Sequence, residues 1–160
     1  MKQSKLKTIL LLVCCLSVCY LAAALGSIAT LPNLDNWYAG LKKPFFNPPN
    51  EVFGPVWALL YTLMAISLFL VIRKHHPRRK AILWIFSLQL LANILWSFFF
   101  FYFHFFITSI FDILLLLALL ISYFRLVRPI HRFAAYCYIP YICWVSFASV
   151  LNISLWWLNG

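Results

Sequence analysis

Charged residues are scarce in this chain: they make up 10% of its 160 residues, and only three of them are acidic. A soluble domain carries about 25% charged residues, so this chain has too little charge to cover a surface in contact with water. Hydrophobic residues make up 65% of the sequence, which indicates that lipid is its main solvent. The 19% of aromatic residues argues against a disordered chain.

Metal-ligand and redox spacings are also missing from the sequence. The five cysteines form no CxxC pair and no Cys/His ligand pattern, and three of them stand in one apolar run. We therefore predict buried free thiols that act as small apolar residues, rather than a metal site or a disulfide scaffold. The four histidines lie in basic loops or at a turn, so they predict no haem-iron site either.

Long apolar runs predict an all-α integral membrane protein, a single domain over 1–160 that forms a five-transmembrane-helix bundle. Three runs of at least 18 residues without a charge reach the roughly 17 to 25 residues of a spanning helix. A fourth stretch, 81–124, has Asp112 as its only formal charge and would measure roughly 66 Å as one helix. We divide it into two spans with a turn around Tyr102 to Thr108. The predicted spans are 8–30, 54–73, 81–102, 106–125 and 133–157.

The distribution of lysine and arginine supports five crossings. With the N-terminus inside, two of the 13 basic residues, Lys42 and Lys43, fall outside, and the other eleven, Lys2 among them, fall inside. Cytoplasmic loops carry such an excess, and a wrong helix count would destroy the alternation. The sequence therefore predicts a multi-pass membrane protein with the N-terminus inside and the C-terminus outside. The lack of an Arg- and Ser-rich transit segment favours a bacterial plasma membrane, and a mitochondrial membrane is the alternative. The charge then describes topology and not nucleic-acid binding.

A cleaved secretory signal peptide is the competing interpretation of the first run, because lysines precede it and small residues end it. The run is longer than the usual apolar region of about 7 to 15 residues, and cleavage would break the charge alternation. Within this run Ala22, Gly26 and Thr30 recur every four residues, which predicts a packing face or a dimer face.

Polar and aromatic residues recur on single faces of three predicted spans. The three sets are Trp57 with Tyr61, then Gln89, Asn93, Trp96 and Ser97, and then Tyr141, Trp144, Ala148 and Asn152. Amides and hydroxyls that face lipid are costly, so these faces should turn towards one another, in the outer half of the membrane. Such a pocket would suit a flat, conjugated or largely apolar ligand; a tightly packed aromatic core is the alternative.

Asp112 is the only titratable group at predicted membrane depth that could carry protons. It follows the turn into the fourth span, which favours a structural role, as a helix cap or a hydrogen-bond partner, over proton transfer. This position weakens the hypothesis of proton-coupled transport. The sequence does not bring several titratable groups together, so it does not predict a catalytic site.

The segment 31–54 is the only long connection between spans. Four prolines stiffen it, and its five aromatic side chains would not remain in water. We expect Asp35 to cap a short helix through Leu41 and the segment 44–49 to be extended. A long ordered first loop then acts as a lid on the pocket; a loop that only seals helix ends is the alternative.

Several of these segments resemble the TspO/MBR family of tryptophan-rich sensory proteins. The resemblance is carried by WYAGLKKPFFNPP from Trp37, FGPVWALLYTLM from Phe53, LANILWSFFF from Leu91, Asp112, and PYICWVSFASVLN from Pro140. It implies a five-helix bundle with a pocket for porphyrins, haem-type tetrapyrroles and flat aromatic drugs, bound as ligands and not as cofactors. The pocket positions implied are Tyr38, Trp57, Tyr61, Asn93, Trp96, Trp144 and Ala148. Structural or supporting positions are Asp112, Gln89, Ser97, Tyr141 and Asn152.

The resemblance also implies a homodimer in the lipid bilayer and leaves three hypotheses for function. The first is a tetrapyrrole-binding sensor, scavenger or carrier, the second a transporter of porphyrin-like or lipophilic solutes, and the third a light-dependent porphyrin-degrading enzyme. The sterol-binding pattern of animal relatives needs a Tyr and a Lys or Arg that this chain lacks after Val150, so no cholesterol motif is expected.

Overall fold

A computed structural model of the chain describes residues 2–160, and their side chains from Lys5 onward. Met1 and the side chain of Lys2, which was counted among the inner charges, lie outside this description. The described residues form six α-helices and two π-helical turns and no strand. The helices are α1 (Lys2–Asn33), α2 (Asn50–Ile72), α3 (Arg79–Ser97), α4 (Phe106–Val127), α5 (Arg132–Tyr136) and α6 (Ile139–Asn159).

Five helical segments of the described chain are long and apolar enough to cross a membrane, which confirms the predicted count. They are Lys5–Tyr38, Asn50–Ile72, Arg79–Tyr102, Phe106–Val127 and Arg132–Asn159. The fifth predicted span is not one uninterrupted helix, because α5 ends at Tyr136 and α6 begins at Ile139. Pro140, which has no N–H to donate, lies in the first turn of α6, where none is needed. The preceding short helix α5 is capped by the His131 ring, which accepts a hydrogen bond from the Ala134 amide at 3.3 Å.

Hydrogen bonds between segments that are distant in sequence define two ends of the bundle. At the basic end, Lys74 Nζ donates to the carbonyl of Ile130 at 3.2 Å and joins two basic connections. At the opposite end, which we call the loop end, the Lys42 amide donates to Asn159 Oδ1 at 2.9 Å and the Asn159 amide returns a bond to the Lys42 carbonyl. The loop end therefore holds both residues 41–49 and the end of α6.

The first connection is shorter than predicted, because helices take over both of its ends. A π-helical turn, Leu34–Tyr38, continues α1, and the whole helical segment ends at Gly40, while α2 begins at Asn50. The expectation that Asp35 caps a separate short helix is therefore wrong, since this residue lies within the continuation of α1. Pro32 lies inside α1 and lacks an N–H, and π-turns commonly absorb such local defects.

The turn between α3 and α4 is confirmed in place and is tighter than predicted. A π-helical turn, Phe98–Tyr102, extends α3, and the amides of Phe103 and Phe105 bond back to it at 2.9 and 2.8 Å. His104 has a φ of 57°, a left-handed conformation that reverses the chain without a glycine. The turn contains neither glycine nor proline, so the usual sequence signal for a turn is absent here.

The small-residue face of α1 packs inside the bundle. Ala22 and Gly26 are buried, and a Cβ added at Gly26 would lie 3.1 Å from Ser97 Oγ on α3. Close helix approach at small residues is typical of membrane bundles. Of the two predicted uses of this face, packing within the chain is therefore the one that the structure shows.

Gly26→Leu is expected to destabilise the fold by about 1 to 3 kcal/mol, because the side chain would force α1 away from Ser97. The measurement is denaturant unfolding in mixed micelles. Gly40→Leu is the control, since a Cβ there meets nothing within 4 Å. Equal stability of both variants would contradict close packing at Gly26.

Candidate functional site

One cavity of about 470 Å³ lies between helices near the loop end. Four helices, α1, α2, α3 and α6, supply its walls, together with the π-helical turns that continue α1 and α3. None of the described residues of α4 lines it. Small-molecule sites commonly have volumes of roughly 300 to 1,000 Å³ and apolar walls with a few polar groups, so this cavity has the size of a ligand site.

All seven residues predicted for the pocket line this single cavity, although they come from four segments of the chain. They are Tyr38, Trp57, Tyr61, Asn93, Trp96, Trp144 and Ala148. Two of the predicted supporting residues, Ser97 and Asn152, also line it. Helical periodicity explains this result, because each set repeats at steps of three or four residues and so shares one helix face.

A hydrogen-bonded group of two phenols and one amide lies at the floor of the cavity, where Tyr61 and Asn93 belong to the lining. Asn93 accepts a hydrogen bond from the Tyr61 hydroxyl at 2.5 Å and donates one to the Tyr141 hydroxyl at 2.6 Å. All three side chains are buried. Tyr141 lies behind the floor and does not line the cavity, so it holds Asn93 in place. This arrangement joins α2, α3 and α6 and fixes the orientation of the amide.

Aromatic rings wall the cavity in edge-to-face, tilted and stacked contacts. Trp57 lies 5.7 Å from Tyr61 and 5.9 Å from Tyr141, measured between ring centroids. Trp144 meets Phe53 edge to face at 5.9 Å. Trp96 stacks on Phe100 at 5.4 Å with an interplanar angle of 8°. These geometries leave indole and phenyl faces that a flat ligand can stack against.

Tyr38 covers the cavity at the loop end. It is 2% exposed, and its hydroxyl donates to Asn47 Oδ1 at 2.7 Å, which ties the end of the first helical segment to the loop. Lys43 donates to the Ala39 carbonyl at 3.0 Å, and its Nζ lies 5.0 Å from the centroid of the Tyr38 ring. The loop that follows therefore contacts the phenol at its hydroxyl, through Asn47, and over its ring, through Lys43.

Three of the predicted supporting residues lie away from the cavity. Gln89 donates to the Tyr138 hydroxyl, Tyr141 bonds Asn93, and Asp112 lies in the second turn of α4. The N-cap of α4 is Phe105, so Asp112 does not cap the helix, and its Oδ2 has no hydrogen-bond partner among the described residues.

Asn152 links the cavity wall to α4. Its amide exchanges hydrogen bonds with the Ser109 hydroxyl, at 3.1 and 3.3 Å. The polar residue of α4 that supports the wall is therefore Ser109 and not Asp112.

The sequence reasoning missed most of the α1 wall. Ala23, Gly26, Ser27 and Thr30 line the cavity, as do Phe53, Phe100 and Phe101 from other segments. The small residues of α1 that recur every four positions are a signal for this wall, but the spacing alone predicts a packing face or a dimer face. The same small side chains that permit close approach at Ser97 also leave space for the cavity.

Comparison with known proteins gives one family. Residues 15–158 match the profile of the TspO/MBR family. The "Tryptophan-rich protein TspO" of Archaeoglobus fulgidus is 35% identical over 136 residues, which cover 84% of this chain and 88% of that protein. Its namesake in Chlorobaculum tepidum is 32% identical over 157 residues, 96% of this chain and 98% of that protein. The human "Translocator protein" is 34% identical over 127 residues, 75% of this chain and 73% of that protein.

Proposed function

Since the chain belongs to the TspO/MBR family of membrane proteins, we propose that its cavity binds porphyrins and other flat aromatic molecules and that the protein acts as a sensor, scavenger or carrier of them. The observation that carries the proposal is the cavity of about 470 Å³ with indole and phenol walls and the oriented amide of Asn93 in its floor. Stacking on the ring faces supplies affinity whatever substituents the ligand carries at its edge. Asn93 and Tyr38 orient the polar edges of the ligand.

We also propose that the protein lies in a bacterial plasma membrane with its basic end inside. The support is the distribution of charge: the connections at 73–80 and 125–132 hold eight basic residues, whereas the loop end holds Lys42 and Lys43. The cavity then opens in the outer half of the bilayer. Protease or thiol-labelling access from each side of spheroplasts tests this orientation.

Trp57→Ala and Trp144→Ala are each expected to weaken protoporphyrin binding by roughly tenfold, because each removes one ring face of the cavity wall. The measurement is titration of purified protein, followed by tryptophan quenching and by the porphyrin absorption band. The absorption band is needed because both variants also lose a fluorophore.

Trp157→Ala is the matched control for these titrations. Trp157 is 80% exposed at the end of α6 and does not line the cavity, so its removal should change quenching amplitude and leave affinity unchanged. Unchanged affinity in both Trp57→Ala and Trp144→Ala would reject the proposed pocket.

A further inference from the structure

The cavity opens between α1 and α2. Every exposed residue in its lining comes from these two helices, whereas the lining residues of α3 and α6 are buried or half-buried. The exposed residues are Tyr20, Leu31, Glu51, Gly54 and Ala58. A Cβ added at Gly54 would meet nothing within 4 Å, which shows open space at this point. A ligand therefore passes these residues on its way in.

Among the described residues that line the cavity, Glu51 is the only one with a charged side chain. It lies in the first turn of α2 and is exposed at the opening. Among the side chains that the structure describes, it has no ion pair. The two lysines of the first loop, Lys42 and Lys43, do not line the cavity, and Lys43 contacts the Ala39 carbonyl and the Tyr38 ring. The opening therefore carries a negative charge without a partner.

A carboxylate at the entrance of an apolar cavity acts on charged ligands through two effects. Burying a ligand charge without a partner is costly, so a ligand that carries carboxylates on one edge leaves that edge at the opening. There the two negative charges meet in a region of reduced dielectric constant, where their repulsion is stronger than in water. A neutral edge meets no such repulsion, and a cationic edge is attracted.

We infer that Glu51 gives the cavity a charge preference: it favours flat aromatic ligands whose free edge is neutral or cationic over ligands whose free edge carries carboxylates. This inference rests on the proposed function, because it concerns selection among ligands of the same cavity. It assigns to Glu51 a role in specificity and none in chemistry.

Glu51 also has a structural role to separate from this one. An acidic side chain in the first turn of a helix interacts favourably with the helix dipole. That contribution changes the stability of the protein and affects all ligands alike. It does not change the ratio of affinities for two ligands that differ only in charge.

The experiment compares protoporphyrin, which carries two carboxylates, with its neutral dimethyl ester, in wild-type protein and in Glu51→Gln. We expect Glu51→Gln to tighten binding of the acid by about two- to fivefold and to leave binding of the ester unchanged. The gain should shrink between about 0.01 M and 0.15 M salt, over which the Debye length falls from about 30 to 8 Å. Glu51→Lys should increase the gain for the acid further.

Asp35→Asn is the matched control, since Asp35 is an exposed acidic residue near the same end that does not line the cavity. An equal gain for the acid in Asp35→Asn would assign the effect to general surface charge and overturn the inference, as would an unchanged ratio of acid to ester in Glu51→Gln. If wild-type protein binds the ester saturably while the ratio does not move, the proposed function stands and the charge preference fails. If it binds neither compound, the proposed function fails and the charge preference fails with it.

Discussion

Ala148→Trp is expected to reduce porphyrin binding by at least about tenfold, to a level that a titration at micromolar protein barely detects. Ala148 lies one turn from Trp144 and one turn from Asn152 on the face of α6 that lines the cavity. An indole at this position would project into the cavity and occupy space that the ligand needs. The packed helices around it need not move, because the volume is already open.

The same substitution should leave thermal stability unchanged or raise it, since filling a cavity adds contacts that the wild-type protein lacks. Loss of binding without loss of stability separates a blocked site from a damaged fold. Val150→Trp is the matched control, because Val150 is two residues further along α6 and 56% exposed on its outer face. Full porphyrin affinity in Ala148→Trp, with the protein folded, would show that the ligand binds elsewhere.

Helical periodicity predicted much of the site because the polar and aromatic residues stand out against an apolar background. Asn93 and Trp96 lie three residues apart on α3, and Trp144 and Ala148 lie four apart on α6, so each pair had to share a face. The cost of exposing amides to lipid then turned those faces inward. Both steps depend only on local spacing and on the solvent.

The first connection was harder to predict, because its structure depends on tertiary contacts. Pro32 and Asp35 are typical of a helix end, yet α1 continues past both through a π-helical turn to Gly40. Burial of Tyr38 against Phe100 and Phe101 stabilises this continuation of the helix. The sequence pattern of 31–40 does not indicate these contacts, because Phe100 and Phe101 are distant in sequence.

The role of Asp112 could not be predicted for a similar reason. Its position near the start of the fourth span suggested a cap, but the N-cap of α4 is Phe105, and Asp112 lies in the second turn of the helix. The sequence predicted the helix that holds Asp112, but the surroundings of this side chain depend on how the other helices pack, which local spacing does not show.

Asn93→Leu is expected to destabilise the protein by about 2 to 4 kcal/mol, the largest loss among these substitutions. Leucine is similar in volume to asparagine but can neither accept the hydrogen bond from Tyr61 nor donate the one to Tyr141. Two buried hydroxyls would then lose their partner, and no described side chain is bonded to them otherwise. The measurement is reversible unfolding in mixed micelles, with Tyr20→Phe as the control for an exposed phenol, whose hydroxyl bonds Thr62 at 2.9 Å.

Removing the two unpaired hydroxyls as well should recover most of the lost stability. The cost of Asn93→Leu comes mainly from unpaired polar groups, and replacing all members of such a group by apolar residues can be nearly neutral. The triple variant Asn93→Leu, Tyr61→Phe, Tyr141→Phe should therefore be more stable than Asn93→Leu alone, although it contains two further substitutions in the core. Additive losses across the three positions would instead mean that each side chain stabilises the bundle independently, and that the floor of the cavity is not a single hydrogen-bonded unit.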